Sequence, residues 1–270
     1  MMMNMMTKLI TGLTIFTASI SVLAAAQTEK VDSYQQAYTI YSLYHADKEP
    51  KPALVSKQYA QDYAALFTTN KKVSAEQFVA FEQARLQPVL EQRREMSLKQ
   101  AHVRYGILDK NKDQKLTLKE FQASGEKTFD GFDQNQDGLI NTEDANLAGA
   151  NTGTHDGFRA KLPISMPMPS NVAEFIVQYG QSKNYVTLGD YLTARDKQFF
   201  ETDSNQDLIV TEQEYVDEFM QRFDRNLATG TTQMQEIAGQ QFKAIAKGKT
   251  TIQANDIQQY AKKVGQASVQ

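Results

Sequence analysis

The stretch DQNQDGLINTED, residues Asp133–Asp144, spaces its polar side chains in a way that decides how the chain is read. Carboxylate or amide groups stand at the first, third and fifth positions (Asp133, Asn135, Asp137), glycine at the sixth (Gly138), an apolar residue at the eighth (Ile140) and an acid at the twelfth (Asp144). A hard divalent cation takes roughly six to eight oxygen ligands, and one tight turn supplies them from alternate residues and a backbone carbonyl. The spacing therefore fits a cation loop.

Two further stretches repeat it: DKNKDQKLTLKE at Asp109–Glu120 and DSNQDLIVTEQE at Asp203–Glu214. Both have Asp, Asn and Asp at positions one, three and five (Asp109, Asn111, Asp113; Asp203, Asn205, Asp207), a branched apolar residue at eight (Leu116, Val210) and Glu at twelve (Glu120, Glu214). One match can be an acidic turn capped by Asp and Asn, but three in one chain are hard to attribute to chance. The pattern resembles the EF-hand family, and Tyr105, Phe129 with Phe132, and Phe199 with Phe200 stand where that family packs its entering helix. The resemblance implies further ligands from the seventh-position carbonyls of Lys115, Leu139 and Ile209 and from Thr117, Asn141 and Thr211 at position nine. It also implies calcium as the cofactor.

The departures from that pattern predict weakened sites. Gln114 and Leu208 replace the sixth-position glycine, where a left-handed backbone costs a residue with a Cβ about 1–2 kcal/mol, so these loops should bind weakly or turn differently. Asp144 is one methylene shorter than Glu, and fewer oxygens favour magnesium relative to calcium. Loop 109–120 also holds Lys110, Lys112, Lys115 and Lys119, which makes it the weakest by field strength.

The apolar–polar signature that closes each loop, which starts a helix through a capping box, recurs without ligands at Val73, Val186 and Ile252. Together, Val73, Leu116, Ile140, Val186, Val210 and Ile252 are separated by 43, 24, 46, 24 and 42 residues. A gap of 24 suits a helix shared by two loops, so the long gaps should hold the partners. The expected couples are Val73 with Leu116, Ile140 with Val186 and Val210 with Ile252, each joining an acidic loop to a silent one. The alternative pairs loops 24 residues apart directly, with Gly125 breaking the segment between them. The fold class expected is all-α, a helix-loop-helix EF-hand array of three paired hands with short β-bridges between loops.

The first thirty residues speak to compartment. Lys8, an apolar run from Leu9 to about Leu23 and Ala24-Ala25-Ala26 form a secretory signal peptide, cleaved after Ala26. Thr and Ser residues interrupt the run too often for a membrane anchor of about 20 residues. The chain has no cysteine and no N-x-[ST] sequon, which favours a bacterial periplasm or the medium and excludes disulfides. The expected organisation is 1–26 signal peptide, 27–52 N-terminal helix and linker, 53–161 a first lobe with two liganded loops, 162–170 a proline-bearing linker and 171–265 a second lobe with one. Tyr34, Tyr38, Tyr41 and Tyr44 share one helical face, read as packing onto the core.

A net charge of -3 and no long basic cluster give no reason to expect nucleic acid; "EQRREM" at Glu91–Met96 balances its charges. No hydrolase, zinc-protease or phosphate-loop motif appears, and His45, His102 and His155 are scattered, so an enzyme is not expected. The expectation is an exported, weak-affinity calcium sensor, buffer or calcium-stabilised scaffold of the cell envelope, with an envelope or surface protein as partner and no stable membrane insertion after cleavage. With only five methionines after the leader, a Met-rich sensor groove is not indicated. The alternative is a dockerin-like adhesion module, since loop 133–144 is similar to one dockerin repeat.

Overall fold

The computed structural model describes residues 33–45, 51–148 and 162–268; the expected signal peptide, the junction 46–50 and His155 within 149–161 lie outside the described residues. The described chain is mostly helical, with strands of two residues only. In order it runs α1 (Ser33–Tyr44), α2 (Pro52–Asp62), a 3-10 turn (Ala64–Phe67), β1 (Val73–Ser74), α3 (Ala75–Leu108), β2 (Leu116–Thr117), α4 (Leu118–Asp130), β3 (Leu139–Ile140) and α5 (Thr142–Ala148). There follow α6 (Val172–Tyr179), β4 (Val186–Thr187), α7 (Leu188–Thr202), β5 (Ile209–Val210), α8 (Glu212–Ala246), β6 (Thr251–Ile252) and α9 (Ala254–Ala267).

Capping boxes start most of the helices that leave the strands. Ser74 with Gln77, Thr117 with Glu120, Thr187 with Asp190 and Thr211 with Glu214 each satisfy two backbone N–H groups reciprocally. No second capping box follows in α3 before it ends at Leu108, so the chain runs through 34 residues as one helix, with Pro88 inside it. At 1.5 Å per residue it spans about 50 Å. α8 has 35 residues and lies antiparallel to it, tied by Arg94 to Asp224 (2.9 and 3.0 Å) and by His102 to Glu212 (2.8 Å).

These lengths overturn two of the three expected couples. The antiparallel bridges are nested: β1 pairs with β6 (Val73 opposite Ile252), β2 with β5 (Leu116 opposite Val210) and β3 with β4 (Ile140 opposite Val186). We call them the outer, middle and inner bridges. Val73 cannot meet Leu116, nor Val210 meet Ile252, because a single long helix holds the members of each expected couple at its two ends. The Ile140–Val186 bridge forms as expected. Gly125 does not break α4; it is buried where α4 crosses α7, and a Cβ there would stand 3.3 Å from Leu192 Cδ2.

The expectation that each couple joins one acidic loop to one silent loop is corrected with the pairing. The outer bridge joins two silent loops, the middle bridge two acidic loops (109–120 and 203–214), and the inner bridge one of each. All six central residues are buried to 1% exposure or less, so each bridge is the centre of a hydrophobic cluster.

The described residues form one compact unit. The stretch expected as a proline-bearing linker at 162–170 is partly packed: Leu162 and Ile164 are buried with Leu86, Leu90 and Met234. It crosses α8 at Gly230, where a Cβ would collide with the Pro163 carbonyl, and Asn226 Nδ2 donates to the Ser165 carbonyl at 3.1 Å. The tyrosine stripe of α1 packs inward, with Tyr41 buried and Tyr34 5.1 Å from the Tyr260 ring. No described helix is long and apolar enough to cross a membrane.

Candidate metal centre

Each acidic loop is held by the same set of bonds, which begins with its first aspartate. Asp109, Asp133 and Asp203 end or follow the entering helix and turn inward, with 3%, 5% and 3% of their surface exposed. Their carboxylates accept the N–H of the sixth residue: Gln114 to Asp109 (3.0 Å), Gly138 to Asp133 (2.9 Å) and Leu208 to Asp203 (2.8 Å). The third-position amide oxygens accept from the fifth N–H (Asp113 to Asn111, Asp137 to Asn135, Asp207 to Asn205) at 2.9–3.1 Å. The fifth-position carboxylates accept the N–H of Lys115, Leu139 and Ile209, each at 2.9 Å.

This lattice requires left-handed backbone at two positions per loop. Lys112, Gln136 and Gln206 have φ of 61°, 60° and 62° at the fourth position, and Gln114, Gly138 and Leu208 have 64°, 81° and 67° at the sixth. The loops with Gln114 and Leu208 therefore turn the same way as the loop with glycine. They do so under strain, and Leu208 is also 65% exposed.

The twelfth-position acids close the loops from the other side. Glu120 accepts from Lys110 N (3.1 Å) and Thr117 N (3.0 Å), Glu214 from Ser204 N (3.2 Å) and Thr211 N (2.9 Å), and Asp144 from Gln134 N and Asn141 N, both at 2.8 Å. Burial raises the Glu120 and Glu214 carboxyls, but the surrounding N–H and hydroxyl donors outweigh it and hold both below the ordinary glutamate value. Asp144, one methylene shorter, is drawn fully into the fold at 0% exposure.

All eighteen expected ligand positions lie in these three loops, and the middle bridge brings the first and third loops together. Thr117 and Thr211 at position nine serve as helix N-caps, and each donates its hydroxyl to the twelfth-position Glu at 2.8 Å. Asn141 Oδ1 accepts from Glu143 N at 2.6 Å. Among the described residues no three or more His, Cys, Asp or Glu side chains converge as a metal-ligating group by themselves. In each loop, oxygens from Asp, Asn and the backbone would have to complete a ligand set.

The residues present fit a hard cation. The donor set is all oxygen, and Asp109 Oδ1 is buried with no hydrogen-bond partner. An orphaned buried carboxylate oxygen is costly, and a cation in the loop would satisfy it. Loop 133–144 likewise buries two carboxylates, Asp133 and Asp144, with no lysine or arginine in the loop.

Sequence reasoning missed a second charged cluster, under the outer bridge. Arg85 on α3 bonds Asp62 (3.1 Å) and Glu82 (3.2 Å) and lies over the Tyr44 ring, while His45 reaches Asp62 at 2.8 Å. Burial raises the Glu82 carboxyl, with Arg85 opposing it. The spacing of Glu82 and Arg85 on one helical face was a signal, but nothing in the sequence joins them to Asp62 and His45. The cluster pins α1 and α2 to α3 and holds no free ligand set. Comparison of the chain with protein-family models, with curated proteins and with solved structures finds no match.

Proposed function

We propose that this chain is a calcium-binding protein of the EF-hand type, in which loops 109–120, 133–144 and 203–214 are the ion sites. The observation that carries the reading is the inward, nearly complete burial of the three first-position aspartates, two of them in loops (133–144 and 203–214) that contain no lysine or arginine. Uncompensated buried carboxylates are destabilising, and a bound divalent ion compensates them. Asp109, Asn111, Asp113, Glu120 and the Lys115 carbonyl would hold one ion; the equivalent residues of the other loops would hold two more.

The ion's role is to fix loop geometry rather than to do chemistry, so the protein acts as a sensor, buffer or calcium-stabilised scaffold, not an enzyme. Strain at Gln114 and Leu208 and the short Asp144 support a weak affinity, about 10⁻⁴ to 10⁻³ M, as in extracellular modules. That affinity suits an exported protein of the cell envelope, where calcium is plentiful, and Asp144 gives its loop the best prospect for magnesium.

Calorimetric titration of calcium into the chelator-stripped full chain tests the reading, with magnesium and an Asp133→Ala/Asp203→Ala variant run in parallel. Two or three calcium ions per chain, fewer in the variant, are expected. No binding at millimolar calcium by calorimetry or equilibrium dialysis, with the fold intact, would reject it.

A further inference from the structure

Two of the three silent loops place a lysine where the acidic loops place an aspartate. With Val186 and Ile252 at the eighth position, loops 179–190 and 245–256 have Lys183 and Lys249 at the fifth and Asp190 and Asp256 at the twelfth. In both, the ammonium crosses the turn to the twelfth-position carboxylate: Lys183 Nζ to Asp190 Oδ2 at 2.5 Å, Lys249 Nζ to Asp256 Oδ1 at 2.7 Å. The first position of each loop is apolar, Tyr179 and Ile245, so the fifth- and twelfth-position charges cancel.

Apart from its cation, the twelfth-position acid behaves alike in all five loops. Asp190 accepts Thr187 N at 3.1 Å and Asp256 accepts Gln253 N at 2.9 Å, just as Glu120, Asp144 and Glu214 accept Thr117, Asn141 and Thr211 N at 2.8–3.0 Å. Loop 109–120 is rich in lysine but does not use it in this way: Lys112 Nζ turns out to the Gly106 carbonyl. Loop 66–77 has Asn70 and Gln77 at the fifth and twelfth positions and needs no counter-charge there.

We propose that Lys183 and Lys249 are tethered substitutes for the metal ion, fixing their loops permanently and leaving cation dependence to the acidic loops. The outer bridge is then a fixed end, the middle bridge responds to the ion in both its loops, and the inner bridge responds in one. The proposal rests on the cation reading of the acidic loops, and it makes the middle of the molecule, where α3 and α8 give way to α4 and α7, the part that calcium switches.

Amide hydrogen exchange on the full chain, with chelator and with calcium, tests it alongside Lys249→Met and Lys249→Arg. In the unsubstituted chain, calcium should slow exchange at Leu116 and Val210 and leave Val73 and Ile252 unchanged. Lys249→Met should speed exchange at Thr251 and Ile252 about threefold to fivefold in either condition, the range an exposed ion pair supplies, and Lys249→Arg should keep the slow rate. An outer bridge that loosens on chelation as much as the middle one overturns the proposal, as does Lys249→Met without effect at Ile252 while the calcium response persists. If calcium alters exchange at no bridge, the cation reading itself fails, and the division into fixed and responsive bridges fails with it.

Discussion

The outer and middle bridges share a backbone plan and differ in what surrounds it. The outer bridge sits in a cluster of fifteen buried apolar residues, among them Tyr41, Tyr59, Tyr63, Phe78, Phe242 and Tyr260, whereas the cluster at the middle bridge has seven, so packing alone does more at the outer end. There Gln241 donates to the hydroxyls of both Tyr59 and Tyr63, and α9 closes on α2 at Gly265. The middle bridge instead buries Asp109 and Asp203. One end is built from apolar area, worth roughly 25 cal/mol per Å²; the other gives up area to hold carboxylates. The same helix-strand-helix unit is thus fastened by apolar packing at the outer bridge and lined with buried carboxylates at the middle one.

The strongest way to break this comparison is to remove both proposed ion sites of the middle bridge. Asp109→Ala/Asp203→Ala should abolish two sites, and since each contributes about 2.7 kcal/mol when calcium stands a hundredfold above its Kd, most of the calcium-induced rise in Tm should vanish. A rise that survives the double change would place the sites elsewhere. Gly265→Ala attacks the other end: a Cβ there would collide with the Pro52 carbonyl and Ser56 hydroxyl, and overpacking of this kind costs about 1–3 kcal/mol. The loss should be the same with and without calcium in thermal melts, and a calcium-dependent loss would blur the distinction between the two ends.

Leu208→Gly sharpens the comparison with a smaller effect of opposite sign. Relief of the left-handed leucine at φ 67° should stabilise the chain by about 1 kcal/mol and tighten calcium at loop 203–214, read by denaturant titration and calorimetry. Unchanged stability would show that the strain is relieved in some other way.

The smallest effect concerns the inner bridge and acid. The Asp190 carboxyl is held down to about 2 by the Lys183 ammonium and by the Thr187 N–H and hydroxyl, against an unfolded value of 3.8. A depressed carboxyl contributes its stabilisation above the unfolded value and loses it as the pH falls through the folded one. The contribution is therefore intact at pH 5 and disappears only towards pH 2. Titration of the Asp190 side-chain carbon signal by NMR should show that low midpoint, and Lys183→Met should move it back towards the ordinary aspartate range.

The acidic loops were legible as turns because turn and helix cap all fall within twelve residues, and the hydrogen-bond lattice around Asp133 follows that spacing residue by residue. The silent loops were legible by their caps, Ser74 and Thr187 above all. The Lys183–Asp190 and Lys249–Asp256 ion pairs depend on the folded turn that brings the fifth and twelfth positions together, which the absent ligands of these loops do not signal. The proline-bearing stretch looked like a linker because Pro163 suits exposed turns, but Gly230 in α8 leaves a gap that its backbone fills.

The sequence by itself determined where the helices that leave the bridges start, which turns carry the acidic twelve-residue spacing, and which six apolar residues form the bridges, since capping, turn chemistry and hydrophobic spacing act over a few residues. Only the tertiary structure decided which bridge residues meet. That choice turns on the unbroken lengths of α3 and α8, which hold Val73 far from Leu116 and bring it to Ile252. The spacings 43, 24, 46, 24 and 42 are nearly palindromic, so a chain folded back on itself lays equal helices side by side and buries both their faces. A gain in burial shared between segments more than a hundred residues apart is a property of the assembled chain, and no local stretch records it.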